Sequence, residues 1–203
     1  MVEVAAIVLA AGRSTRFSGG VDGATKLVAE IDGAPLVRHA VVAAIGSGAR
    51  PVIVVTGHAR EAVMAALAGL DVQEARNPRY ADGIASSVST GVAALPARCE
   101  AALVFLGDMP RVTGAFARRL IDAFAADPTL DAVAPLVEGR RGNPVLLSRK
   151  LFAAALALEG DEGARKLLMR SDLRVVEIEA PGDSAAVDID TPEALHRLGA
   201  GDQ

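Results

Sequence analysis

Tryptophan is absent from this chain, tyrosine and cysteine occur once each, and aromatic residues make up only 3% of its 203 positions. A core with so few large rings must be built from Ala, Val, Leu and Ile, and such side chains suit buried strands flanked by helices. The lone Cys99 excludes an internal disulfide and a cysteine-built metal cluster. It reads as a free buried thiol and fits a reducing, cytoplasmic setting. His39, His58 and His196 share no metal-ligand spacing, and no G-x-S-x-G elbow is present, so all three read as structural or exposed side chains. Positive charge is scarce as well: 21 Lys and Arg against 25 Asp and Glu give a formal net charge of −4. Such a balance argues against nucleic acid and against an anionic membrane as partners, so any anion site must be local. Mean hydropathy is +0.34, yet no apolar run approaches the roughly 20 residues of a spanning helix. "VAAIVLAA" is too short, and Glu3 stands where a signal peptide would be basic.

What is present is a regular alternation. Val4 to Ala10 is a short apolar run stopped by Gly12 and reads as a buried strand. After the turn signal "EIDGAP", Pro35 suits a first helical position, and "LVRHAVVAAIGSG" carries apolar residues at helical spacing. The alternation continues with strand "PVIVVTG", helix "AREAVMAALAG", strand "DVQEA", loop "RNPRYADG", helix "IASSVSTGVAAL" and strand "AALVFLGD". Helix "TGAFARRLIDAFAAD" and strand "LDAVAPLV" extend it. Repeated strand–helix units predict an α/β fold with a parallel sheet covered on both faces. Further on, "EGRRGNPVLLS" reads as a hairpin or excursion, helices are expected near 149–158 and 161–169, and "LRVVEIEA" as a strand. Length and the lack of a linker predict one domain over residues 1–203.

Open parallel sheets bind ligands at the carboxyl ends of their strands. Three such ends carry chemistry: "AAGRSTR", "GDMP" and "DID". The dinucleotide pattern G-x-G-x-x-G is absent, "GSGARP" coming nearest but following a helix, and "GGVDGATK" is not a Walker A loop. What remains is a loop whose Gly12 lets the backbone approach an anion, with Arg13, Arg16 and Lys26 as counter-charges. A triphosphate satisfies that pattern; so does a solvated surface loop, with Lys26 an exposed strand-edge residue. Asp108 at a strand end can hold Mg²⁺ beside phosphates, or close an Asp-x-Pro turn. Asp188 and Asp190, two apart on an extended segment, point to one side and can add a second carboxylate; Asp190 also fits a plain helix-entry turn. Ser86 and Ser87 at a helix start suit either a base and ribose or a serine-rich first turn.

The strings "VLAAGRSTRF…TKLVAEIDGAPLVRHAV", "NPRYADGIASSVSTGVAAL", "LGDMPRVT", "RRGNPVLLSRKLF", "LEGDEGARKLL" and "DIDTPEAL" occur in one order across nearly the whole chain. Together they resemble the molybdenum cofactor cytidylyltransferase branch of the nucleotidyltransferase family. The resemblance implies a three-layer α/β/α sandwich with a mostly parallel, Rossmann-like sheet, Mg²⁺ dependence, and transfer of a nucleoside monophosphate from an NTP to a phosphorylated acceptor. By position, Leu9, Ala10, Ala11 and Gly12 would border the nucleotide, and Arg16 and Lys26 would hold the triphosphate. Asp108 would bind the metal with Asp190 or Asp188, Ser86 and Ser87 would face base and ribose, and Asn143 and Pro144 would meet the acceptor. The Ala10-Ala11-Gly12 form implies CTP over GTP, and the branch implies a molybdopterin-type acceptor. Two departures stand out: "SGGVDGA" lengthens the path to Lys26, and the common Gly-His-Pro is Gly142-Asn143-Pro144 here. Proteins described as nicotine blue oxidoreductase also look similar, which offers an NAD(P)H-dependent reductase as an alternative. A non-catalytic chaperone handing the cofactor to a molybdenum hydroxylase is a third reading.

Overall fold

A computed structural model describes residues 2–14 and 25–182. Its centre is β1 (Val4–Ala10), buried along its whole length. Alternation along this strand divides the core. Ala6, Val8 and Ala10 pack on one side of the sheet and Ile7, Leu9 and Ala11 on the other, as a side-chain period of two requires. Parallel neighbours flank it: β4 (Val52–Thr56) and β6 (Ala101–Leu106), with Leu9 paired to Val55 on one side and Leu106 on the other. Beyond β4 lies β5 (Gln73–Arg76); beyond β6 come β9 (Val145–Ser148), β7 (Ala132–Val137) and β10 (Val175–Glu179).

Helices cover both faces. One layer holds α1 (Leu36–Gly46), α2 (Arg60–Ala66) and α4 (Gly114–Ala126); the other holds α3 (Ile84–Ala93), α5 (Phe152–Leu156) and α6 (Ala164–Leu167). In α4 the buried residues Phe116, Ala117, Leu120, Ile121 and Phe124 recur at helical spacing. Thr113 caps this helix by accepting a bond from Phe116 N at 3.2 Å. Leu120 is fully buried, so truncation to Ala costs about 2–5 kcal/mol. Small residues set the layer spacing: a Cβ on Gly91 of α3 would meet Ile7 Cγ2 at 2.4 Å. The three-layer fold expected from the resemblance is therefore present, and among the described residues no helix is long and apolar enough to cross a membrane.

Three local features refine the sequence reading, the second of them bearing out the hairpin or excursion expected over "EGRRGNPVLLS". Pro35 precedes α1 instead of opening it, because it pairs with Glu30 across a small hairpin of β2 (Glu30–Ile31) and β3 (Ala34–Pro35). Second, β9 runs antiparallel between β6 and β7. The stretch from β7 to β9 is too short for the crossover a parallel pair needs; it turns back through β8 (Arg140–Arg141), which pairs with β7. Third, the helices expected near 149–158 and 161–169 shorten to α5 and α6, since a 3-10 turn occupies Arg149–Leu151 and Gly160 takes a positive φ. Cys99 is buried and free, and burial pushes its thiol pKa up.

Candidate active site

From β1 the chain moves to β4 through α1 on one face, and later returns from β5 to β6 through α3 on the other. Strand order thus reverses between β1 and β6, and the crevice at their carboxyl ends is where an open α/β sheet takes a ligand. Two loops meet there. Gly107 N donates to Leu9 O at 3.0 Å, and a Cβ on Gly107 would stand 2.9 Å from the same oxygen. This close backbone approach sets Gly107, the residue before Asp108, against the Leu9–Ala10 end of β1.

Lys26, which follows residues 15–24 in the sequence, also reaches this crevice. Ser14 and Thr25, which flank that segment, meet through their hydroxyls at 3.2 Å. Thr25 also accepts from Leu27 N and so starts the 3-10 turn Lys26–Val28. Lys26 Nζ lies 2.7 Å from Asp108 Oδ2, the two side chains only 11% and 18% exposed. An exposed strand-edge lysine is thereby overturned: Lys26 is 9% exposed and belongs to no strand. Gly12 is exposed, and among the described residues a Cβ built on it finds nothing within 4 Å. Packing among the described residues does not require a glycine there.

The stretch after β5 forms the second wall. Asn77, 1% exposed, is fixed by its backbone N–H to Thr56 O at 2.8 Å. Its side-chain amide donates to Ser86 Oγ at 2.8 Å and Ser87 Oγ at 3.0 Å. Ser86 Oγ in turn donates to the carbonyls of Gly83 and Arg79. Both serine hydroxyls are buried within this network. Thr56 Oγ1 donates to Glu74, whose carboxylate takes two bonds of 2.7 Å from Arg60. The Arg60 guanidinium, helped by the Thr56 hydroxyl, holds the Glu74 carboxyl below the usual carboxylate range. At the outer edge Tyr80 carries the exposed Arg13 guanidinium 5.5 Å from its ring centre, with the His58 ring at 5.8 Å. His39 Nε2 is 2.9 Å from Ile31 O, a structural contact.

A cavity of about 620 Å³ opens on the α3 side of β1 and β6. Leu9, Ile84, Val104 and Leu106 give it an apolar floor. Asn143 lines it, and Pro144, the residue before β9, is buried. Lys26, Asp108 and the two serines lie outside its lining. Arg16, Asp188, Asp190 and His196 fall outside the described residues. Among the described residues no group of three or more His, Cys, Asp or Glu could hold a metal ion. Magnesium beside phosphates needs only one or two carboxylates, and Asp108 at a strand end fits that modest demand.

Comparison with known proteins places this geometry. The MobA-like NTP transferase domain matches residues 6–175. The chain belongs to that family. Among solved structures, Rv0371c from Mycobacterium tuberculosis H37Rv is 27% identical with a TM-score of 0.84, each chain covered to 98%. A manganese complex of Rv0371c is 28% identical with a TM-score of 0.78, covering 97% of this chain and 98% of that one. Among curated relatives, the bifunctional protein GlmU of Rhizorhabdus wittichii is 34% identical over 150 residues, 73% of this chain and 31% of that protein. The chain thus spans about a third of the length of the GlmU proteins it matches. Nicotine blue oxidoreductase of Paenarthrobacter nicotinovorans is 30% identical over 203 residues, 96% of both chains.

Lys26 and Asp108 meet at the carboxyl end of the sheet, beside the point where the strand order reverses. Sequence reasoning passed over Asn77, Tyr80 and the charged residues around the cavity. The Asn-Pro dipeptide closing β5 was the available signal, since such a dipeptide marks a turn whose Asn bonds its own backbone; Asn77 Oδ1 accepts from Arg79 N at 2.9 Å.

Proposed function

We propose that this domain moves CMP from CTP onto a phosphorylated acceptor of the molybdopterin type, with Mg²⁺ bound and pyrophosphate released. The observation that carries the reading is the Lys26–Asp108 pair at the switch point. An ammonium and a strand-end carboxylate held together are the two charges a metal–triphosphate complex needs: one for phosphate oxygens, one for the cation. In this reading the Leu9–Gly12 backbone borders the nucleotide, and Lys26 with Arg16 steadies the triphosphate. Asp108, with Asp190 or Asp188, holds the metal. The metal supplies neutralisation of phosphate charge. Ser86 and Ser87 act through Asn77, fixing the edge on which base and ribose rest, and Asn143 and Pro144 border the acceptor.

An oxygen of the acceptor phosphate forms the new bond to the α-phosphorus while the bond from that phosphorus to the bridging oxygen breaks. The electron pair leaves with pyrophosphate. A phosphate monoester is largely ionised near neutral pH, its second pKa lying near about 6, so no strong base is required and positioning with charge neutralisation supplies the catalysis. The test is Mg²⁺-dependent pyrophosphate release with each NTP in turn and a molybdopterin acceptor. CTP is expected to be preferred and Asp108→Ala to lose turnover. Unchanged turnover in that variant, or release with no dependence on the acceptor, overturns the reading.

The full-length match to nicotine blue oxidoreductase supports a second reading, reduction of a quinone-like dye by NAD(P)H. Against it stands the absent dinucleotide fingerprint. Loss of NAD(P)H absorbance that requires the dye would favour it.

A further inference from the structure

Lys26 and Asp108 each stand on a backbone that buried neighbours hold in place. Thr25 and Leu27, on either side of the lysine, are 6% and 5% exposed. Thr25 Oγ1 accepts from Leu27 N at 3.3 Å and lies 3.2 Å from Ser14 Oγ. Leu27 packs in the core on the α1 side of the sheet, and a Cβ built on Gly107 would stand 3.4 Å from its Cδ2. On the facing loop Gly107 N is bonded to Leu9 O, and Met109, just beyond Asp108, is buried. The freedom left in the contact lies in the side chains, above all in the lysine's four-carbon stem and its compact charge with three rotatable donors.

Together the two groups carry no net charge. Both are largely shielded from water, so each charge depends on the other for its compensation. A dication arriving alone meets a carboxylate already answered by an ammonium 2.7 Å away. Among the described residues no group of three His, Cys, Asp or Glu offers it more ligands. A triphosphate arriving alone meets an ammonium beside a carboxylate that repels it. Arriving together, the two ligands replace one ion pair by two: carboxylate to metal, and ammonium to phosphate oxygens.

We infer that Lys26 determines specificity for the metal-bound form of the nucleotide, by occupying the metal's place on Asp108 and leaving it only when metal and triphosphate come together. The inference rests on the transfer reading above and goes beyond it, giving the ion pair a selection against free metal and against free nucleotide. Each ligand alone must break the pair unaided, whereas each removes that barrier for the other; such a coupling between two ligands is reciprocal by thermodynamic necessity. Lysine suits this exchange better than arginine. A guanidinium grips a carboxylate through two parallel N–H bonds, while an ammonium on a long stem can leave one oxygen for another with its backbone fixed.

Mn²⁺ serves as the probe, followed by the electron paramagnetic resonance signal of the free ion in titrations of the full chain, without acceptor. Wild type should bind Mn²⁺ alone weakly and CTP in EDTA weakly, and each should tighten the other by one common factor of about 5- to 150-fold. Lys26→Met should bind Mn²⁺ alone about 10-fold tighter than wild type, and Asp108→Asn should bind CTP in EDTA tighter by a similar factor. Lys26→Gln, a gentler change that still donates to the carboxylate, should show a smaller gain. Lys26→Arg should show none, which separates release of Asp108 from a mere change of net charge, and Lys26→Met with Asp108→Asn should lose the gain. Unchanged or weaker Mn²⁺ binding in both Lys26→Met and Lys26→Gln, or a gain that survives in the double variant, overturns the inference; with CTP still bound and transferred, the transfer reading stands. A metal–nucleotide factor of one also overturns it. The same coupling with another NTP and none with CTP would support the inference and overturn the choice of CTP in the transfer reading.

Discussion

Lys26 Nζ lies 2.7 Å from Asp108 Oδ2, joining the loop that follows β1 to the end of β6. Each charge answers the other's burial, so removing one leaves its partner uncompensated in a place with little water. Asp108→Ala and Lys26→Met are each expected to lower unfolding free energy by about 1–3 kcal/mol. The double variant should lose less than the sum, and all three should fail to release pyrophosphate. Urea unfolding of the four proteins forms the cycle. Strictly additive losses would show that the two groups are not coupled.

Two glycines near the crevice should respond in opposite ways. Gly83 has a φ of 98°, and a Cβ there would stand 2.1 Å from Gly160 O, the carbonyl that also accepts from Ala85 N at 3.0 Å. Gly83→Ala should destabilise the fold by well over about 1 kcal/mol and loosen α3 from the 160–166 segment. Gly12 meets no such constraint among the described residues. Gly12→Ala should leave thermal stability unchanged or raised, while nucleotide affinity drops because the new methyl occupies the ligand's space. A Gly12→Ala protein with wild-type CTP affinity would remove the backbone from the nucleotide site.

Asn77 holds the second wall through side-chain bonds that a shorter residue cannot make. Asn77→Ala leaves buried groups unpaired and should cost about 1–3 kcal/mol. Asn77→Asp keeps the acceptor for Arg79 N but loses both donations to the serines, and should cost a similar amount. Both variants should raise KM for the nucleotide more than they lower kcat. An effect on kcat alone would place Asn77 closer to the reacting atoms than its burial permits.

Residues close in sequence announced their structure more clearly than residues that meet across the fold. Val4–Ala10 and Ala101–Leu106 read as buried strands because apolar, β-branched runs have few other places to go. The turn-back after β7 was legible as a hairpin or excursion over "EGRRGNPVLLS", but the insertion of β9 between β6 and β7 was not, since "VLLS" has the same pattern in any place in the sheet. Lys26 and Asp108 could each be singled out for its residue type and its place at a strand end or loop. Their contact was hidden because it depends on Ser14 meeting Thr25 and on the backbone approach at Gly107, neither of which leaves a periodic trace.

Glu74 gives the fold a defined acid dependence. Arg60, and after it Thr56, hold its carboxyl pKa below the unfolded value, which is about 4.3. A depressed folded pKa means that its stabilisation is complete above the unfolded value and is lost as pH falls through the lower, folded one. Asp131 is depressed too, chiefly by the Arg174 backbone N–H and then by Lys150, but it is present in both proteins of a pair differing only at Glu74. The urea midpoint of Glu74→Gln should therefore lie below wild type by a constant amount from neutral pH down to about pH 5, and the two curves should converge on further acidification. Thr56 also fixes Asn77 through its carbonyl, so Glu74→Gln at neutral pH should weaken CTP binding modestly as well. A stability gap that widened as pH fell would mean that the Glu74 carboxylate is a burden on the fold.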